Sequence, residues 1–220
     1  DAYPEYVPVW KKEMRNAQAA ADMRKQVPDA MPVTIEGRSI ATSWWGKSWN
    51  ENLERYADYS NRIGRGRSYV RQGAVLDLRL DAGKIQALVQ GSRSTPYEVT
   101  IGIDPLDEQA WEELRQIALT QVDSMADLLA GQFPQALKDL FFAKGSGLFP
   151  APSEIHFDCS CPDWASMCKH VAAVLYGIGN RLDSSPEWLF ALRQASIADL
   201  IAKTVDATAA GLVRKADQAT

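Results

Sequence analysis

The sequence predicts an α+β protein: an antiparallel β-meander with flanking helices, followed by a small strand–loop–helix module. Three observations carry that prediction. Residues 75–103 hold three apolar runs that alternate with period two, parted by short turn signals. The segments 107–130 and 170–182 switch to helical period. All three cysteines and one of the two histidines fall between positions 159 and 170.

Taken in order, residues 1–40 contain prolines and are weakly patterned, which suggests an extended N-terminal arm. Tyr3, Tyr6, Val7, Val9 and Trp10 are candidates to dock on a core, and 11–26 (KKEMRNAQAAADMRKQ) reads as a short polar helix ended by Pro28. Residues 43–60 are expected to be helical beyond Gly46, with Trp49, Leu53 and Tyr56 on one face. The following NRIGRGRSYVRQG, residues 61–73, reads as a glycine-punctuated basic loop. Leu76, Leu78 and Leu80 share one strand face; Ile85, Ala87 and Val89 share the next; Tyr97, Val99, Ile101 and Ile103 share the third. Asp81-Ala82-Gly83 supplies the first turn and the stretch from Gly91 to Pro96 the second, giving a meander with one wet face.

Trp111, Leu114, Ala118, Val122, Met125 and Leu129 then form a helical stripe, and a second helix is expected near 134–143. KGSGLFPAPS, residues 144–153, is the best candidate linker. Beyond the cysteines, 170–182 is an apolar helix, 186–204 holds one or two more, and the tail from Asp206 is expected to fray. The resulting partition is an arm (1–40), an α+β domain (41–143), a linker (144–153), the cysteine module with C-terminal helices (154–205) and a tail (206–220).

Composition bounds the function. At 220 residues with 46% apolar content the chain can bury a core without disulfide staples. A net charge of −4 argues against coating nucleic acid through bulk charge, yet permits a local basic patch. No window approaches the length of a membrane helix, so no membrane association is expected. No secretory signal is visible, although the absence of an initial Met leaves a removed leader open. An odd, clustered cysteine set fits a reducing compartment, so a cytoplasmic location is expected.

The cysteines are spaced Cys159-x-Cys161-x6-Cys168-x-His170. Three thiolates and an imidazole are the donor set of a tetrahedral Cys3His zinc site. Residues i and i+2 on a strand point to one side, so Cys159 and Cys161 can face a single ion. Pro162-Asp163 opens a turn that brings the chain back to Cys168 and His170 at the start of a helix. Ile155 and Phe157 alternate ahead of the pair, Trp164 can pack over the metal, and Val171, Val174 and Leu175 give the helix an apolar face. A redox Cys-x-Cys pair, a Cys–His hydrolase, a catalytic zinc with an open position and plain buried cysteines are the competing readings. Structural zinc explains all four positions at once. His156 is read as a surface residue or one that supports the ligands.

The pattern C-x-C-x6-C-x-H, with a strand before it and an apolar helix after it, resembles a SWIM zinc finger. The order of WWGKSW, RIGRGRSYVRQG, QGSRSTPYEVTI and FDCSCPDWASMCKHVAAVLYGIG is similar to bacterial SWIM zinc-finger proteins over about residues 40–205. Such proteins are typically encoded beside a Swi/Snf-type helicase-like ATPase. The resemblance implies a zinc-stapled SWIM module with Cys159, Cys161, Cys168 and His170 as ligands. It also implies a role linked to nucleic acid or to a helicase-like partner.

One further feature bears on function. Residues 62–93 carry Arg62, Arg65, Arg67, Arg71, Arg79, Lys84 and Arg93 against only Asp77 and Asp81. Arginine suits bidentate phosphate contacts, and Gly64 and Gly66 would let backbone approach a ligand. Tyr69 and Tyr97 are candidates to stack on bases. Arg62, Arg65, Arg67, Arg71 and Arg93 are therefore the candidate nucleic-acid contacts, with DNA the favoured partner. A solvated face and an acidic protein partner are the alternatives. Trp44, Trp45 and Trp49 are expected to pack the first helix against the sheet, or to form a docking patch. No phosphate-binding loop, nucleotide fingerprint or carboxylate constellation is present, so the chain is expected not to be an enzyme. The two functional readings are a nucleic-acid-binding accessory that also docks the ATPase, and a pure protein–protein adaptor.

Overall fold

A computed structural model describes residues 5–55, 60–120, 135–143, 147–163, 165 and 167–218. In chain order the helices are α1 (Val9–Gln26), α2 (Trp44–Glu54) and α3 (Ser60–Arg71), then strands β1 (Val75–Asp81), β2 (Lys84–Val89) and β3 (Tyr97–Ile103). Helices α4 (Glu108–Leu119) and α5 (Gln135–Phe141) follow, then β4 (Ile155–Cys159), α6 (Lys169–Ser184), α7 (Trp188–Leu192) and α8 (Ile197–Gln218). The protein is mixed helix and sheet, with a four-stranded antiparallel sheet flanked by helices.

The strand order is β1-β2-β3-β4, so the strand that carries Cys159 is the sheet's fourth member. Its register pairs Val99 with Cys159 and Ile103 with Ile155. The first hairpin closes through Ala82 and Gly83, at φ 40° and 80°, the paired left-handed conformation of a tight two-residue turn. Alternation holds on β2 and β3, where Ile85, Ala87, Val89, Val99, Ile101 and Ile103 all face the core. On β1 it breaks. A register shift between Val75 and Asp77 rotates the strand, so Val75 and Leu78 enter the core cluster while Leu76 is buried outside it. The chain at 31–33 covers that edge, with Val33 N–H donating to the Val75 carbonyl, Leu78 N–H to the Met31 carbonyl and Met31 N–H to Asp77.

Helix α6 is the hub. Eleven of its residues are buried, His170 through Gly179 and Leu182, so it is enclosed on all sides rather than amphipathic. The sheet lies on one side and α2 and α3 on the other. Ser43 caps α2 by accepting from Gly46 N–H, so the helix begins before Gly46 rather than after it. Trp45, Trp49 and Leu53 bury its inner face, against α6 and not against the sheet, and the Trp49 indole donates to the Leu175 carbonyl at 2.9 Å. Tyr56 lies outside the described residues.

Two further expectations are corrected. Residues 61–73 are not a loop: helix α3 runs to Arg71, with Ile63, Gly66 and Val70 as a buried stripe at helical spacing. The tail from Asp206 is helical as part of α8 rather than frayed. Trp111, Leu114 and Ala118 are buried on α4 as expected; Val122, Met125 and Leu129 lie outside the described residues, as does part of the 144–153 stretch. Among the described residues no helix is long and apolar enough to cross a membrane.

Candidate metal centre

Three elements bring the four donors together. Cys159 ends β4, and Ser160 fixes the chain beyond it: its N–H donates to the Glu98 carbonyl at 3.0 Å and its hydroxyl accepts from Glu98 N–H at 2.9 Å. Cys161 therefore leaves the sheet edge in a defined direction. Asp163, in the returning loop, is held by Arg62 of α3 at 2.5 Å. Cys168 is the N-cap of α6, its sulfur accepting from Val171 N–H at 3.4 Å, and His170 is the second residue of that helix.

The donor atoms of Cys159, Cys161, Cys168 and His170 lie within 4.8 Å of one another. The His170 Nδ1 faces inward, 3.7 Å from Cys168 Sγ and 3.9 Å from Cys159 Sγ. A tetrahedron with ~2.3 Å metal–sulfur bonds has edges of roughly 3.8 Å, so the four atoms already stand close to a coordination shell. Electrostatics favour a cation there. The Cys168 thiol is drawn down to about 4, first by a hydrogen bond from Cys159 and then, against the opposing effect of burial, by His170 and the Val171 amide. The Cys159 thiol, as donor in that pair, is pushed well up, with burial adding to the shift. A bound divalent ion would draw all three thiols toward the thiolate form.

Packing holds the histidine ring. Tyr97 stacks on it at 4.4 Å and 30°, and Tyr69 meets it edge-on at 5.5 Å. Its Nε2 is buried with no hydrogen-bond partner among the described residues, so aromatic contact rather than an acceptor orients the imidazole. Gly91 makes the stack possible: a Cβ there would collide with the Tyr97 ring and sit 3.2 Å from His170 Nε2. The glycine was legible as a turn, but nothing in the sequence linked it to the histidine.

The other candidates scatter. His156 is exposed and pairs with Asp104 at 2.8 Å, apart from the cluster. Trp164 lies outside the described residues. Arg62 is committed to Asp163. Arg67 bonds Glu54 at 2.5 Å and the Tyr176 hydroxyl at 3.1 Å. Burial, together with the Glu54 hydrogen bond, pushes that hydroxyl up to about 12. Arg65 and Arg71 are exposed, on different sides of α3: Arg65 acts on Tyr69, whereas Arg71 lines a depression of about 410 Å³ beside α1. Arg93 is exposed with its guanidinium 4.9 Å over Tyr97. Tyr97 thus packs against both His170 and Arg93, so its ring is engaged rather than open to a base.

Fold and site together define a mixed helix–sheet protein with a half-buried Cys3His cluster able to hold a metal ion. The uncharacterized protein Rv2102 of Mycobacterium tuberculosis (strain ATCC 25618 / H37Rv) is 37% identical over 201 residues, covering 87% of this chain and 72% of its own length. The chain belongs to the family of that mycobacterial protein. No family model matches the chain, and no solved structure matches it.

Proposed function

We propose that this chain is a zinc-binding, SWIM-type accessory protein without catalytic activity of its own, which binds nucleic acid and works beside a helicase-like ATPase. The observation that carries the reading is the closed donor set, three thiols and one imidazole within 4.8 Å. Soft thiolates with one nitrogen suit zinc, and four protein ligands leave no open position for substrate. The ion would tie the end of β4 to the start of α6, and so fix the loop between them and the tyrosines that pack on His170. Exposed arginines close to those tyrosines support a nucleic-acid partner, DNA being favoured.

Metal analysis of purified protein tests the first half: one zinc per chain is expected, lost in a Cys161→Ser/Cys168→Ser variant. Binding of metal-loaded protein to labelled single- and double-stranded DNA across a salt series tests the second. Affinity that falls steeply with salt supports phosphate contact; no binding at low salt overturns it.

The adaptor reading has its own observation. Tyr6, Trp10 and Met14 at the N-terminal end, and Val205, Leu212 and Val213 on α8, are exposed large apolar side chains. Salt-insensitive association with the ATPase alone would favour it.

A further inference from the structure

Two of the five arginines read from the sequence as phosphate contacts, Arg62 and Arg67, are held by carboxylates, and the fold sets two of the others, Arg65 and Arg93, in a wider cationic group. Arg15 comes from α1, Arg65 from α3, Arg93 from the β2–β3 loop and Lys169 from the first residue of α6. Arg65 and Arg93 belong to the basic run 62–93, but Arg15 and Lys169 lie far from it in sequence. In space the four surround the tyrosine pair on the metal centre. The Lys169 ammonium lies 5.7 Å from the Tyr69 ring and the Arg93 guanidinium 4.9 Å from the Tyr97 ring. Arg65 is exposed on α3 one helical turn before Tyr69, and Arg15 reaches the same region from α1. Arg15 and Arg93 stand on opposite walls of an open groove of about 620 Å³ between α1 and the loop. Among the described residues none of the four makes an ion pair, whereas Arg62, Arg67, Arg79, Arg115 and Arg193 all do. Asp22, the groove's carboxylate, is engaged by Gln18 and Lys25.

We propose that this groove, walled by Arg15 and Arg93 and continued by Arg65 and Lys169, is the seat of a nucleic-acid phosphate backbone. The proposal rests on the nucleic-acid reading above and names the surface that serves it. Three of the four cations are arginines, whose forked donors match phosphate oxygens. The groove also presents Ser92, Ser94 and Gln18, neutral hydrogen-bonding side chains of the kind that contact phosphate and sugar. Buried Gln90 braces the loop, its amide donating to the carbonyls of Gly91 and Arg93 at 3.1 and 2.6 Å. The cations are thus held in place by the fold rather than carried on a mobile tail, which lowers the ordering cost of binding.

The test uses the full metal-loaded chain, a fluorescein-labelled oligothymidylate and a salt series. Arg15→Gln/Arg65→Gln/Arg93→Gln/Lys169→Gln is compared with a charge-matched control, Arg38→Gln/Arg55→Gln/Lys84→Gln/Lys215→Gln, at exposed positions elsewhere. Loss of four single-strand phosphate contacts is expected to flatten the log–log salt slope by about 3, with affinity down at least tenfold at low salt and the control within about twofold of wild type. Should the quadruple variant lose metal or fold, the pair Arg15→Gln/Arg93→Gln is expected to flatten the slope by about half as much. Equal weakening in variant and control would overturn the groove while leaving nucleic-acid binding intact. Failure of the wild type to bind would overturn both. Displacement of the oligonucleotide by poly-glutamate of equal charge at equal concentration would overturn the phosphate assignment in favour of an acidic polypeptide.

Discussion

Helix α3 and the β2–β3 loop are two glycine–arginine segments that border the tyrosine pair, NRIGRGRSYVR and GSRSTP, and the fold treats them oppositely. In α3 the glycine is structural. Gly66 presses its backbone against Ala172, so closely that a Cβ would overlap the Ala172 methyl group. Two of the helix's arginines, Arg62 and Arg67, are bound to carboxylates. In the loop Gly91 is equally crowded, but by the Tyr97 ring, and Arg93 projects over that ring into an open groove. The same residue types lock two helices in one place and present a cation in the other. Composition is silent on which; spacing decides. Ile63, Gly66 and Val70 fall on one helical face, whereas the loop has no apolar periodicity to bury.

The metal centre touches both segments, α3 through Arg62–Asp163 and Tyr69, the loop through Tyr97. Removing the ion should therefore separate them more than any single substitution. With the proposed ion bound, stripping it should cost about 4 kcal/mol where free metal stood at a thousand times its Kd, lowering Tm by roughly 10 °C. Hydrogen exchange should then speed up at 91–97 and 159–168, while amides at 63–70, held by α6, stay protected. Uniform acceleration along the chain would show that α3 depends on the metal as much as the loop does.

The next effect isolates α3. Gly66→Ala forces α3 away from α6 and is expected to destabilise by roughly 1–3 kcal/mol, the usual range for an overpacked core. Urea denaturation should show a lower midpoint with an unchanged slope. A loss below about 0.5 kcal/mol would mean that the two helices can part at little cost, contrary to the contact seen at Ala172.

Gly66 also shows where sequence reading succeeds and where it stops. The strands were legible because β2 and β3 alternate without exception, and the metal cluster because all four donors fall within twelve residues and their types leave few other chemistries. The α3 helix was not, because two glycines and a basic composition are turn signals that outweigh a sparse apolar stripe until a partner helix is known. The buried phase of β1 was hidden by a bulge at Leu76, and the depth of α6 by its position between layers, which no local pattern reports. Arg65 and Arg93 were legible as cations of the 62–93 run, whereas Arg15 and Lys169 were not, because residues from four elements have no shared spacing.

On the loop side, Gly91→Ala should push Tyr97 off the His170 ring. The fold should persist, since the sheet register from Val89 onward does not use Gly91. Zinc affinity is expected to fall about tenfold, the lower end of what loss of a ligand's supporting contact costs. Competition with a chromophoric chelator measures it. Unchanged affinity would mean that the tyrosine is a bystander and that β4 and α6 alone position the imidazole.

The smallest predicted effect has the opposite sign, and it distinguishes the two glycines of one dipeptide repeat. Gly64 lies on α3 with nothing within 4 Å of the position a Cβ would take, and its φ is not left-handed. Alanine there adds no clash and narrows the unfolded ensemble, so Gly64→Ala should stabilise by about 0.5–1 kcal/mol. The proposed salt-dependent binding of DNA should be unaltered, because the neighbouring Arg65 keeps its helical position. If Gly64 instead served as a point of close backbone approach to phosphate, as the GRGR repeat first suggests, alanine would weaken binding whatever it did to stability. Gain in stability with binding intact would place Gly64 with Gly66 as a residue of the helix, and leave the Arg65 side chain as the means by which α3 meets the proposed ligand.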